Sequence, residues 1–279
     1  FIVDPPTLEN LGFRWYIEGD SNRNASVSVE FRKKGQTQWR NALPMLRVHH
    51  EISNQQYGPY RTGNLFAGSV LFLEPGTAYE VRFTMSDPDG GAPAEPKIVE
   101  AATRAVPKAF DGGRTIEATP ERGLLAAFEQ AQPGDIIQLR PGIYKGPFEL
   151  NKSGTAEKPI VFRGPAAGQA ALEADGVEGR SPIVTLNGTH HLHFEGLTFR
   201  NAHTAVYAAK PGGSDGLVIR RCRIHDVVLG INTGCENSRN WYIADNDIVG
   251  INPTWYPRPP VDYMSPGHTG VNVYGQGHV

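Results

Sequence analysis

The chain has 279 residues and a formal net charge of −2, which argues against the basic face that non-specific nucleic-acid binding needs. No apolar run approaches the ~18–20 residues required to cross a bilayer, so no membrane span is expected. The 32 Gly and 22 Pro, with few helical periodicities, predict a β-rich, turn-rich protein, and the length predicts two domains.

Residues 1–104 alternate apolar and polar in short runs. The clearest are Phe13-Arg-Trp-Tyr-Ile17, Ala25-Ser-Val-Ser-Val-Glu-Phe31, Ser69-Val-Leu-Phe-Leu73 and Tyr79-Glu-Val-Arg-Phe-Thr-Met85. Turn signals separate them at Glu18-Gly-Asp20, Lys34-Gly35, Pro75-Gly76 and Asp87-Pro-Asp-Gly-Gly91. Such spacing predicts an antiparallel β-sandwich. The segment Leu73-Glu-Pro-Gly-Thr-Ala-Tyr79-Glu-Val-Arg82 resembles the corner motif of fibronectin type III domains, and Trp15 falls where that family places an early core tryptophan. The resemblance implies that the Tyr79 hydroxyl bonds back to nearby backbone. Met45–Asn64 is longer and more polar than the usual loops of that family.

A linker is expected at 105–113, followed by one helix. Thr119 suits its N-cap, Pro120 its first turn and Glu121 the positive end of its dipole. Leu124, Leu125, Ala127, Phe128 and Ala131 make its apolar face, and Gln132-Pro-Gly-Asp135 ends it. Placed before a stack of strands, the helix is expected to cap the exposed first layer.

From Gly134 the pattern changes. Gly134–Gly164 holds three short apolar runs closed by Pro/Gly turns, with no room for crossover helices. Further on, Leu192–Asn201, Leu217–Asp226 and Trp241–Gly250 align at offsets of 25 and 24 residues. Their apolar positions coincide as Leu192/Leu217/Trp241, Phe194/Ile219/Ile243 and Phe199/Ile224/Ile248. A fixed period of this size built from strand-like segments predicts a stacked β-solenoid over 114–279. The chain ends at Gly277-His-Val279 inside a strand-like pattern, so truncation of the solenoid is expected there. Cys222 and Cys235, the only cysteines, lie outside any CxxC pair and are read as small buried thiols rather than a disulfide framework or a zinc site.

Gly134-Asp-Ile-Ile-Gln-Leu-Arg-Pro-Gly-Ile-Tyr144 and Ser153-Gly-Thr-Ala-Glu-Lys-Pro-Ile-Val-Phe-Arg-Gly164 resemble the opening rungs of the right-handed parallel β-helix, pectate-lyase-like superfamily. The resemblance implies three strands per rung, with a carbohydrate groove over the first. On that template the first strands are Ile183–Leu186, Ala205–Ala209, Gly230–Gly234 and Gly270–Tyr274. If Val184, Val206, Ile231 and Val271 point inward, alternation lines up Thr185, Tyr207, Asn232 and Asn272 outside. Tyr207, Asn232 and Asn272 are thus candidate sugar-binding residues.

The segment Ile251–Thr269 inserts a long loop where other rungs turn tightly, and such loops tend to be functional. Trp255, Tyr256 and Tyr263 offer flat faces for pyranose rings, and Arg258 suits a uronate carboxylate. His225, beside Asp226, and His268 are the candidate catalytic groups, as bases near the groove. On the opposite wall, Asp215 and Glu236 are too few for a calcium site that wants six to eight oxygens, so no metal ligand is assigned, although the resemblance leaves Ca2+ open as a cofactor. His190, His191 and His193 read as surface histidines at a turn, and Arg220, Arg221 and Arg223 as a solvated face.

The expectation is an all-β, secreted (extracellular or periplasmic) monomer: an N-terminal β-sandwich, then a right-handed parallel β-helix with a capping α-helix. The resemblance implies cleavage of an acidic, uronate-containing polysaccharide by β-elimination. A glycoside hydrolase using paired carboxylates and a non-catalytic glycan-binding or adhesive protein remain open beside it.

Overall fold

The computed structural model describes residues 1–55, 58–177, 179–250 and 269–273. Among the described residues the structure is all-β apart from one short helix, and the chain divides into two compact units, Phe1–Val106 and Pro107–Val279.

The N-terminal unit holds two four-stranded antiparallel sheets. One joins Ile2–Val3, Leu11–Tyr16, Asn64–Val70 and Leu46–His49; the other joins Lys97–Ala102, Ala78–Ser86, Ser26–Lys33 and Arg40–Asn41. Alternation along the strands sends Leu11, Phe13, Val27, Val29, Phe31, Phe66, Val81 and Phe83 into one buried cluster. The Tyr79 hydroxyl accepts the backbone N–H of Glu74 at 2.9 Å. The polar stretch after Met45 forms the edge strand Leu46–His49 and a small hairpin, Ile52–Gln55 with Gly58–Arg61.

The second unit is a parallel β-solenoid of about five turns, each turn adding about 4.8 Å along the axis. Its strands form three faces. Face A stacks Thr115–Ala118, Ile136–Leu139, Ile160–Arg163, Leu192–Glu195, Val218–Arg220 and Tyr242–Ala244. Face B begins with Gly142–Lys145 and Ala170–Gly176, face C with Phe148–Leu150 and Pro182–Leu186. The long strands Thr198–Ala208 and Arg223–Asn232 then run through both faces. Asp247–Val249 and Thr269–Asn272 continue faces B and C.

Each face contributes inward residues stacked in register. Face A stacks Ile137, Phe162, Phe194, Ile219 and Ile243. Face B stacks Tyr144, Leu172, Phe199, Ile224 and Ile248, and face C stacks Phe148, Val184, Val206, Ile231 and Val271. All of these belong to one hydrophobic cluster or pack against it. The Phe162 and Phe194 rings stack at 4.9 Å and 11°. The alignments Phe194/Ile219/Ile243 and Phe199/Ile224/Ile248 made on the repeats are therefore true neighbours.

The corners repeat as faithfully as the strands. Between faces A and B the backbone is left-handed at Gly196, Arg221 and Asp245; between B and C at Gly176, Asn201 and Asp226; between C and A at His191, Gly216 and Asn240. Six of these nine residues carry a Cβ and bear a cost there that glycine avoids. Two polar devices fix the stacking. Asn246 accepts from the Cys222 N–H at 2.9 Å and donates to the Ile219 carbonyl at 2.8 Å. At the turn from C to A, Ser214 donates to the Thr189 carbonyl at 2.6 Å, and Ser238 accepts from the Ser214 N–H at 3.3 Å.

The helix differs from expectation. It spans only Leu124–Gln130, with Gly123 at the N-cap and no side-chain cap. Thr119 instead opens a turn closed by Gly123 N–H to its carbonyl at 2.9 Å, because the left-handed Gly123 (φ 79°) breaks the helix there. Leu124, Ala127 and Phe128 are buried, while Leu125 is exposed. Lys152 Nζ donates to the carbonyls of Phe128 and Glu129 at the helix end, where the dipole favours a cation.

Candidate functional site

The outer column of face C follows from the register: Glu149, Thr185, Tyr207, Asn232 and Asn272 stand one above the other. Their strand neighbours Val184, Val206 and Ile231 are buried, as alternation requires. Tyr207, Asn232 and Asn272 are each partly exposed. Asn232 Oδ1 accepts the Gly234 N–H at 2.9 Å, which orients the amide and leaves its Nδ2 outward. Among the described residues the Tyr207 hydroxyl and the Asn272 amide bond to no other group. An aromatic ring followed by two amides at one-rung spacing offers a stacking surface with donors and acceptors beside it.

His225 sits elsewhere. It shares the strand Arg223–Asn232 with Asn232, but lies on face B, before the left-handed corner at Asp226. Its Nδ1 is 2.8 Å from Asp226 Oδ2. With Nδ1 as the donor, Nε2 presents a lone pair, and no described group engages it. The structure thus brings Tyr207, Asn232 and Asn272 together and separates His225 from them. His268, Trp255, Tyr256, Arg258 and Tyr263 lie outside the described residues.

Face B carries a second outer column, which the sequence reading did not single out: Lys145, Glu173, Arg200, His225. Glu173 is only 5% exposed. Lys145 Nζ pairs with its Oε2, and Arg200 Nε donates to its Oε1 at 2.7 Å. Burial pushes the Glu173 carboxyl up, but the bonds from Lys145 and Arg200 together outweigh it and hold the group below its ordinary value.

Face A has its own charged column, Gln138, Arg163, Glu195, Arg220. Arg220 is not a solvated residue as expected: it is 17% exposed, and donates through Nε and Nη2 to Glu195 and through Nη1 to the Pro107 carbonyl. His193 also departs from the surface reading. It is 4% exposed, its Nδ1 lacks a partner among the described residues, and burial pulls its pKa down to about 4. Burial likewise pushes the Cys222 thiol up to about 12, while Cys235 is partly exposed.

On the opposite wall Asp215 accepts from Asn240 at 3.0 Å, and Asn237 donates to the Pro211 carbonyl at 2.8 Å. Among the described residues no group of three or more His, Cys, Asp or Glu is placed to hold a metal ion. Among the described residues no helix is long and apolar enough to cross a membrane.

Comparison with known proteins adds four findings. A family model described as chondroitinase B matches residues 119–232, less than half of the chain. The curated protein "Uncharacterized protein YwoF" of Bacillus subtilis (strain 168) is 25% identical over 137 residues, which is 46% of this chain and 29% of that protein. Among solved structures, an alginate lyase from Paenibacillus sp. str. FPU-7 is 25% identical over 48% of this chain and 44% of that one, with a TM-score of 0.42. A family 28 exopolygalacturonase from Yersinia enterocolitica is 12% identical over 88% of this chain and 62% of that one, with a TM-score of 0.29. The chain therefore spans less than a third of the curated relative and less than two thirds of either solved structure. The solenoid register and the family match together establish a parallel β-helix fold.

Proposed function

We propose that the chain belongs to a secreted, polysaccharide-active β-helix protein that holds a uronate-containing glycan along face C and cleaves it by β-elimination. The observation that carries this reading is the outer column Tyr207, Asn232 and Asn272, in register and open to a ligand. The chondroitinase B match over residues 119–232 supports the substrate class. In such a reaction a base removes the C5 proton, the C4–O bond breaks, a C4=C5 double bond forms, and the leaving oxygen takes up a proton. His225, oriented by Asp226 at the corner that joins faces B and C, is assigned the base for a glycan that extends from face C over that corner. His268 remains the other histidine candidate, and Trp255, Tyr256, Arg258 and Tyr263 remain candidate sugar contacts.

The N-terminal unit is read as a fibronectin type III-like sandwich, supported by the Tyr79 to Glu74 corner bond. The helix Leu124–Gln130 is read as the cover of the first rung, supported by Leu124 and Phe128 joining the solenoid core. A second reading, a non-catalytic glycan-binding protein, draws on face C itself, whose column from Thr185 to Asn272 contains no acid or base except the Tyr207 phenol.

The test is ultraviolet absorbance of the chain incubated with a panel of polyuronates, with and without Ca2+. A growing unsaturated-uronate signal that His225→Gln reduces supports the lyase. New reducing ends without that signal assign a hydrolase, and binding that Tyr207→Ala weakens without any cleavage assigns the glycan-binding reading.

A further inference from the structure

Two of the buried carboxylates of the solenoid, Glu173 and Glu195, are built alike but leave their arginines in different states. Glu195 is bonded by Arg163 and Arg220, and Arg220 uses all three of its nitrogens on Glu195 and Pro107. Arg200 uses one. Its Nε donates to Glu173 at 2.7 Å, and among the described residues neither terminal nitrogen has a partner, while the side chain is 31% exposed.

A guanidinium held at Nε by a buried, ionised carboxylate has a restricted orientation. Its remaining edge, Nη1 and Nη2, forms a planar two-donor fork that fits the two oxygens of a carboxylate. Lys145, on the other oxygen of Glu173, leaves the triad with one net positive charge. One rung further, about 4.8 Å on, the His225–Asp226 pair presents Nε2. We propose that the outer surface of face B, centred on Arg200 with Glu173 as its positioning residue, is a carboxylate-binding site that takes a uronate unit of the polysaccharide. The site lies on a different face from the Tyr207 column and rests on the proposed function only for the identity of the sugar.

The experiment is calorimetric titration of the chain with trigalacturonate, with its carboxyl-reduced neutral counterpart, with monomeric galacturonate and with sulfate. Wild type is expected to bind trigalacturonate about tenfold more tightly than the neutral trisaccharide, the order expected of one charge-assisted bidentate contact. Arg200→Lys keeps the charge and the ion pair but lacks the fork, and is expected to erase most of that ratio; Glu173→Gln, which frees the guanidinium, is expected to reduce it. Tyr207→Ala should weaken both trisaccharides equally and leave the ratio intact. Monomeric galacturonate competing as well per carboxylate as the trimer reassigns the ligand to small carboxylates and overturns the polysaccharide proposal. No binding, equal binding of charged and neutral trisaccharides, sulfate competing as well as the uronate, or an unchanged ratio in Arg200→Lys each overturns the site. Failure of any unsaturated product to form counts against the lyase and leaves the ratio as the measure of the fork.

Discussion

Replacement of His193 should flatten the response of the solenoid to mild acid. The imidazole stands on the outer side of face A between Val161 and Val218 in register, with Glu195, Arg220 and His191 as the charged neighbours that act on it. Burial is the largest influence, and it lowers the pKa from 6.5 to about 4. Between those values the unfolded chain binds a proton that the folded chain refuses, so stability is full above the unfolded pKa and falls as pH drops toward the folded one. Moving from about pH 7.5 to about pH 5 should cost the solenoid roughly 2 kcal/mol through this residue alone. The depressed carboxyls Glu173 and Asp135 lose their stabilisation only below the ordinary carboxylate range, outside this window. His191, lowered by burial, responds in the same sense and is unchanged by the substitution.

Urea unfolding of wild type and His193→Leu at the two pH values isolates the effect. Hydrogen exchange of peptides spanning Leu192–Glu195 and Val218–Arg220 separates the solenoid's transition from that of the N-terminal unit. At about pH 7.5 the leucine variant should be as stable as wild type or up to about 1 kcal/mol more so, because the unpartnered buried Nδ1 is gone. At about pH 5 it should be the more stable protein by roughly 2 kcal/mol or more. Equal losses in the two proteins would refute the reasoning, since the burial of a neutral imidazole could not then be the source of the slope.

Two further substitutions test the geometry of the rungs. Tyr144→Phe removes a hydroxyl that donates to the Ala118 carbonyl at 2.8 Å and accepts from the Arg140 N–H at 3.1 Å, and should lower stability by about 1–2 kcal/mol in denaturant unfolding. Asp245→Gly relieves a left-handed corner at φ 57° and should raise the solenoid's midpoint by up to about 1 kcal/mol in equivalent stability, the conformational relief exceeding the added backbone entropy.

The later rungs were legible because their turns are uniform. Phe194, Ile219 and Ile243 fall at even offsets, so the apolar columns show in the sequence as they stand in the fold. The earlier rungs hide theirs. Lys145, Glu173 and Arg200 are separated by 28 and 27 residues because the intervening turns are longer, and a period of 24 or 25 does not bring them together. His193 was misread for another reason. Alternation in Leu192-His-Phe-Glu195 identifies an inner and an outer side, but burial of the outer side depends on what lies over it. The signal was present in Val161 and Val218, apolar residues on the outer column of the same face, which mark strands covered on both sides. The helix start was misplaced because Thr119-Pro120-Glu121 has the right residues for a cap, while Gly123 two positions on interrupts the turn they would begin.

The arginines of the solenoid divide according to what surrounds each glutamate. In the sequence Arg200 and Arg220 are equivalent, each a cation near a glutamate on an outer column. Around Glu195 three arginines compete for two oxygens: Arg163 and Arg220 bond directly, and Arg221 stands at 3.8 Å. Arg220 also reaches back to the Pro107 carbonyl, tying the first residue of the unit to face A. That arrangement engages all three of its nitrogens and acts as a clamp. Around Glu173 there are two cations for two oxygens, so each gives one bond, and the planar guanidinium is left with donors to spare. Donor count, rather than charge or exposure, is what separates a structural arginine from one able to receive a ligand on this fold, and by that measure Arg200 stands on the second side.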